Sequence, residues 1–574
     1  MSRRSSTERN AEEDAGLLSG RPTNKQTVRG KWEGWVRLGL GVWAMAATAG
    51  IVIIAVLWVN TGSNGQNSKF PPGGKRNIVF MVSDGMGPTS LALTRSYRQL
   101  VDGLPWDDTL TLDKHFIGTS RTRSSSSLVT DSAAGATAFS CGMKSYNGAI
   151  SVLPDGSPCG TILEAAKKAG YMTGLVVTTR ITDATPACFS AHVNLRGEED
   201  RIAEQQIGDY PLGRMVDLML GGGRCHFLPN TTNDSCRSDS RNLVSEAQKR
   251  FGFSYVDDRK SFDGLKKGNA VRLPLLGLFA PTDIPYDIDR KAEVYPSLEE
   301  MAEVALKALE IATKDSDKGF FLMVEGSRID HAGHGNDPAA QVHEVLAYDK
   351  TFKRVSDWIA GSKYPGVVVS TSDHETGGLA VARQLHATYP EYLWYPEVLA
   401  NASSSSEYLA AQYALHSPSS SEGDEEDYIR NTLLIKGLGI HNPDDGEIRA
   451  IKEHKDHPDS AWVLADLVSR RAQVGWTTHG HSGVDVNIYG SDGTSRLGGN
   501  HENTKVGEFL RDYLQVDVDA VTKELRKKGV NRVGATGGEE VVYEWMGRPL
   551  SELKEAGFET EKLDCYHGDF KHKH

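Results

Sequence analysis

Cysteine is scarce in this chain: there are six among 574 residues, which excludes a small fold held together by a disulfide framework. Positive charge is not in excess either. Lys and Arg number 64 against 76 Asp and Glu, a formal net charge of −12, and no basic stripe stands out, so a nucleic-acid backbone is not an expected partner. No G-x-S-x-G elbow surrounds the serine discussed below, which argues against a lipase-type nucleophile. The amino-terminal apolar run does not read as a cleavable secretory signal. Such a signal has a short apolar core near the amino terminus and a small-residue cleavage site, whereas the apolar run here is longer and lies further along.

That run, Leu38 to Val59, is uncharged and rich in Leu, Ile, Val, Ala and Trp, and is long enough to cross a bilayer as a helix. Trp35 and Trp58 lie near its ends, where aromatic rings favour the membrane interface. Lys25, Arg29, Lys31 and Arg37 crowd its amino-terminal side, while the next cations beyond it are Lys69, Lys75 and Arg76. The asymmetry predicts residues 1–37 as a cytoplasmic tail and residues 38–59 as a signal anchor of a single-pass type II protein. In the tail, Glu13, Leu17 and Leu18 form an acidic dileucine pattern of the kind read by vacuolar or lysosomal sorting machinery. Residues 60–75 read as a flexible stalk. Cys225 and Cys236 bound a polar loop containing the sequons of Asn230 and Asn233, with another at Asn401. Glycosylation there and a Cys225–Cys236 bridge would both suit a lumenal location.

From Arg76 onward, short apolar runs alternate with amphipathic segments, which predicts an α/β fold with a central, mostly parallel sheet flanked by helices. Ile78–Val82, Gly174–Thr178, Phe320–Val324 and Val367–Ser370 read as buried strands. Helices are expected over Thr161–Ala169, after the capping box that starts at Ser297, and over Ala339–Ala360. Ser403–Asp427 reads as an acidic, low-complexity surface loop. Residues 516–574 show no clear apolar strand and read as a peripheral or removable segment following a main domain of residues 76–515.

The four strands share a feature: each runs into polar residues at its carboxyl end. These are Asp84, the Asp183–Thr185 stretch, Glu325, and Asp373 with His374. Open α/β sheets place ligand sites at those ends. The Thr130-Asp131-Ser132-Ala133-Ala134-Gly135 segment admits two compatible readings. It can be a capped helix start, and a helix amino terminus also receives phosphate. Glu325 to His334 carries two carboxylates and two histidines beyond the strand, with Asp330 and His334 four apart on one helical face. His479-Gly480-His481 adds imidazoles. Mixed carboxylate and imidazole sets suit Zn²⁺, and all-oxygen sets suit Mg²⁺.

Taken in order, these motifs, together with Asp84-Gly85-Met86-Gly87 and Leu220-Gly221-Gly222-Gly223-Arg224, resemble the alkaline phosphatase family from about Arg76 to His501. With the anchor and the dileucine tail, the chain looks most like the membrane-anchored vacuolar members known from fungi. The resemblance implies phosphate monoester hydrolysis of broad specificity in the vacuole lumen by a homodimer, with two Zn²⁺ and one Mg²⁺. It implies Ser132 as nucleophile and phosphoserine carrier, Arg196 as the phosphate clamp and Asp131 as its orienting partner. One zinc would be held by Asp330, His334 and His481, the other by Asp84, Asp373 and His374. Magnesium would be shared by Asp84, Thr185 and Glu325, with Asp183 acting through water. His331, beside the substrate, stands where bacterial members have lysine and animal members histidine, whereas Asp183 follows the bacterial pattern. His479 competes with His481 as a ligand; the Ser-Gly-x-Asp-Val that follows favours His481. A phosphodiesterase or sulfatase on the same fold would use threonine or a modified cysteine in place of Ser132. A catalytically silent glycoprotein would have lost ligands.

Overall fold

The computed structural model describes Thr48 and residues 74–416, 422–533 and 539–557. Apart from Thr48, the expected anchor at 38–59, the tail and most of the stalk lie outside the described residues; among those described, no helix is long and apolar enough to cross a membrane.

Fourteen strands organise the described chain. β1 (Asn77–Val82), β2 (Phe116–Arg121), β3 (Met172–Arg180), β4 (Leu218–Gly222), β5 (Ser254–Val256), β6 (Leu275–Leu278), β7 (Phe320–Glu325) and β8 (Gly366–Thr371) come first. β9 (Glu375–Thr376), β10 (His481–Ser482), β11 (Val486–Gly490) and β12 (Gly499–Glu502) follow, then the hairpin β13 (Val530–Val533) and β14 (Glu539–Val542). Ten of them form one sheet in the order β12-β2-β11-β8-β1-β7-β3-β4-β6-β5. β11 runs antiparallel to both its neighbours, and every other pairing is parallel. Every residue of β1 and β7 is buried. Helices on both faces exclude water from a parallel sheet, so these strands have no polar side.

The register positions the site. Val82 of β1 pairs with Glu325 of β7 and with Thr371 of β8, and Val177 of β3 pairs with Glu325. Four adjacent strands therefore end at one level, and the residues just past them face a common space. The expected helices form as Ile162–Lys168, Leu298–Ala312 and Pro338–Gly361. The Ser297 side chain accepts from the Glu300 N–H, and the Glu300 carboxylate accepts from the Ser297 N–H, completing the capping box.

The Ser403–Asp427 region differs from expectation. It contains helices Ser406–Leu415 and Glu422–Tyr428, separated by residues outside the described set. The Ser405 side chain caps the first, accepting from the Tyr408 N–H at 3.0 Å. Leu409 and Tyr413, four apart on one face, join a second apolar core with Leu399, Leu433, Leu464 and Val468. The serine-rich flanks hide that short apolar face in the sequence. Cys225 and Cys236 are disulfide-bonded, as are Cys141 and Cys159, a pair the sequence did not suggest. Parts of the described chain beyond Val516 pack on the main domain. Helix Val518–Arg526 buries Val518, Val521 and Leu525, and residues 543–550 bury Tyr543, Met546 and Leu550 beneath Tyr146. Whether residues 558–574 are separable falls outside the described residues.

Candidate active site

Ser132 is the first residue of helix Ser132–Cys141, whose residues are all buried. Asp131 caps it: one carboxylate oxygen accepts from the Ala134 N–H at 3.0 Å and the other from the Gly148 N–H at 2.9 Å. The serine thus sits where a helix offers unpaired N–H groups and the positive end of its dipole. Its Oγ lies 3.1 Å from His374 Nε2. The run of small residues after it has a steric cause, since a Cβ on Gly135 would come within 2.9 Å of Asp373 Cβ. Only a bare backbone lets this helix reach the strand end that carries Asp373 and His374.

Around Ser132 the strand ends bring together two groups whose ligand atoms lie within 4.8 Å of one another: Asp84, Asp373 and His374, and Asp330, His374 and His481. His334 joins the second, with Nε2 at 3.3 Å from Asp330 and 3.1 Å from His481 Nε2. The His481 ring stacks on that of His374, centroids 3.5 Å apart. β10 sets this placement by pairing His481 with Thr376 of β9. His479 points elsewhere: its ring stacks on Trp462 and its Nδ1 meets the His334 carbonyl at 2.8 Å. The geometry therefore puts His481 in the cluster and His479 outside it.

Asp84, Glu325, Asp330 and Asp373 are all buried. Burial and then repulsion from Asp373, Asp330 and Glu325 hold the Asp84 carboxyl well above its usual range, and burial likewise pushes up Glu325 and Asp373. Burial works in the same sense on Asp330, but the His334 hydrogen bond and the nearby imidazoles hold it well below the carboxylate range. His374 is driven down by burial and by His481, which leaves a neutral imidazole suited to ligation. Asp84 Oδ1, Asp373 Oδ2 and Thr185 Oγ1 are buried without a hydrogen-bond partner. Orphaned oxygens among crowded carboxylates fit divalent cations, which would reverse the local field.

Asp183 is held by two arginines. Arg196 Nη2 donates to it at 2.9 Å and Arg180 Nη2 at 3.2 Å. Burial alone would raise its pKa, but Arg196 and then Arg180 hold it down at about 2. The Arg196 contact with Asp131 is longer, at 3.4 Å, so both aspartates orient the guanidinium. His331 Nδ1 lies 3.2 Å from Arg328 Nε and 3.9 Å from Asp283.

Four contributors carried no sequence signal. Arg180 bridges Asp183, Glu199 and Asp283. Asp283 links that arginine to His331. Thr376 Oγ1 donates to Asp330 and lies 3.1 Å from His374 Nδ1, fixing a carboxylate and an imidazole at once. Ser327 Oγ donates to Glu325 Oε2 at 2.6 Å. Such partners outside the ligand set fix its orientation.

Residues 75–516 match the family model described as alkaline phosphatase. The chain belongs to the alkaline phosphatase family. It is an alkaline phosphatase, a phosphoric monoester hydrolase. It is 56% identical over 474 residues to the repressible alkaline phosphatase of Saccharomyces cerevisiae, covering 79% of this chain and 83% of that one. It is 48% identical over 508 residues to the alkaline phosphatase of Schizosaccharomyces pombe, covering 87% and 91%. Among solved structures, the alkaline phosphatase of Thermus thermophilus superposes with a TM-score of 0.65 at 27% identity, covering 80% of this chain and 97% of that one. Residues 517–557, though packed on the enzyme, lie beyond the matched span.

The Gly135 contact gives a direct test. Gly135→Ala should keep the fold but displace Asp373 and His374 relative to Ser132, lowering kcat/KM for p-nitrophenyl phosphate by about tenfold or more; activity within twofold of wild type would contradict the steric role.

Proposed function

We propose that this phosphatase works through a phosphoserine on Ser132 and holds three divalent cations. The observation that carries the reading is the meeting of Ser132 Oγ, at a helix amino terminus and 3.1 Å from His374 Nε2, with orphaned carboxylate oxygens on both Asp84 and Asp373. Asp330, His334 and His481 would hold one zinc, and Asp84, Asp373 and His374 the other. Asp84, Thr185 and Glu325 would hold magnesium. Asp183, engaged by two arginines, is assigned mainly to orienting Arg196. When bound, the cations would neutralise the carboxylates and favour the deprotonated serine oxygen.

The chain's own residues account for the remainder. The Arg196 guanidinium forks onto two non-bridging phosphate oxygens, positioned by Asp183 and Asp131. Ser132 gives its hydroxyl proton to water as its Oγ attacks phosphorus in line, the Ser–O–P bond forms, the ester P–O bond breaks, and the departing oxygen takes a proton back from water to leave as the alcohol. Water then attacks the same phosphorus from the vacated side. The P–O bond to Ser132 breaks, the serine regains its proton, and inorganic phosphate departs. His331, part-exposed at the rim beside Asp283, is assigned to the substrate side. Recognition confined to the phosphate favours broad specificity for monoesters.

Hydrolysis of p-nitrophenyl phosphate should vanish with chelator and return with Zn²⁺ plus Mg²⁺. Ser132→Ala should lose about 10³-fold or more in kcat, together with the acid-trapped phosphoserine. Full activity in Ser132→Ala would refute the nucleophile.

We further read the enzyme as a homodimeric, single-pass type II glycoprotein of the vacuolar membrane, with the active site lumenal. Support comes from the apolar run at 38–59, two disulfides and the exposure of Asn230, Asn233 and Asn401. In sealed vacuoles, external protease should remove only the tail, and endoglycosidase should sharpen the band of the solubilised protein. Complete digestion in intact vacuoles would reverse the topology.

A further inference from the structure

Residues 517–557 lie beyond the family match, yet part of this segment covers the loop that carries Arg196. Trp545 stands edge-on to the His192 ring, with centroids 5.7 Å apart at 86°. Gln205 Nε2 donates both to the His192 carbonyl at 2.9 Å and to the Trp545 carbonyl at 3.2 Å. Two residues on, Asn194 Nδ2 donates to the Arg548 carbonyl at 2.8 Å. The Arg548 N–H in turn donates to Glu198 Oε2 at 3.1 Å. Contacts from residues 545–548 thus fall at positions 192, 194 and 198, on both sides of Arg196.

The other wall of the loop is held by the same segment. Val193 forms a two-way backbone bridge with Ile150, and the Arg196 N–H donates to the Gly148 carbonyl at 2.8 Å. Tyr146 OH donates to the Asn194 carbonyl at 2.9 Å. Residues 146–149 also fix Asp131, through Asn147 Oδ1 on its N–H and the Gly148 N–H on its carboxylate. Tyr146, Ala149 and Val152 are buried against Tyr543, Met546 and Leu550. Asp131 and Arg196 therefore share a cradle whose outer layer is the 543–550 segment. Gly547 suits the tight turn this requires: its φ is +86°, and a Cβ there would strike the Glu198 carboxylate.

We propose that Tyr543–Leu550 is a positioning element of the phosphate site, a clamp that holds the loop 192–198 so that the Arg196 guanidinium stays aimed at the phosphate oxygens. The inference rests on the reading of Arg196 as the phosphate clamp. Trp545 and Asn194 touch neither substrate nor the reacting atoms, so they act through the loop that carries Arg196. A guanidinium on a loosened loop still reaches phosphate but is pre-aimed a smaller fraction of the time, so affinity falls more than turnover.

The test is a double-mutant cycle in the full-length enzyme, read as the inhibition constant of inorganic phosphate and as KM against kcat for p-nitrophenyl phosphate. Trp545→Ala should raise the phosphate inhibition constant and KM by about fivefold while kcat stays within about twofold, and Trp545→Phe, which keeps the ring edge, should restore both. In an Arg196→Ala background, where the constant is already raised about tenfold or more, adding Trp545→Ala should change it by less than about twofold. Asn194→Ala, which removes the hydrogen bond to the Arg548 carbonyl, should repeat the pattern and serves if the tryptophan variant does not fold. The clamp is overturned if the folded variants bind phosphate like wild type while Arg196→Ala does not. Equal weakening in both backgrounds overturns it too, since that marks a general structural effect. Unchanged phosphate inhibition in Arg196→Ala itself would remove the reading of Arg196, and the clamp with it.

Discussion

Carboxylate repulsion in a buried volume is the constraint on which the rest of the structure depends. Asp84, Glu325 and Asp373 stand at or just past the ends of three adjacent parallel strands, and Asp330 follows one turn into the next helix. The sheet register brings those ends level, so the acids cannot spread apart without breaking the ladder. Such a set stays ionised only if positive charge is supplied. The chain provides part of it through His334 beside Asp330, and leaves oxygens of Asp84 and Asp373 without a hydrogen-bond partner. The site is built to be completed by cations, and an acidic protein can thereby attract a phosphate dianion.

The second layer is arranged to keep that charge in place. Thr376 ties Asp330 to His374, Ser327 holds Glu325, and β9 pairs with β10 to deliver His481. On the opposite side Asp183 is clasped between Arg180 and Arg196. Arg196, proposed as the phosphate clamp, is thus aimed by two aspartates, one of which also caps the helix that starts at Ser132. Under the proposed mechanism, nucleophile and clamp are positioned through one carboxylate, Asp131, which couples the two halves of phosphate recognition.

Much of this was legible in the sequence because buried parallel strands are written as short continuous apolar runs, and the acid or histidine after each run is conspicuous. Asp84, Glu325, Asp373 and His374 were found that way, and the Ser297 box marked its helix. Other parts were not legible. His479 and His481 have the same local chemistry, and only strand pairing decides which ring turns inward. Arg180, Asp283 and Thr376 act through approaches between distant segments, which no spacing encodes. Helix Ser406–Leu415 has too short an apolar face to stand out from its serine-rich flanks. The Cys141–Cys159 pair closes a loop whose ends meet only in the fold. Residues 543–550 lack strand or helix periodicity, and their role lies entirely in what they cover.

The central claim, that the carboxylate and imidazole cluster is a cation site, is tested most directly by anomalous diffraction at the zinc edge from crystals of the active enzyme. The account predicts two zinc peaks, one among Asp330, His334 and His481 and one among Asp84, Asp373 and His374. Crystals of fully active enzyme with no anomalous density at either position would contradict it.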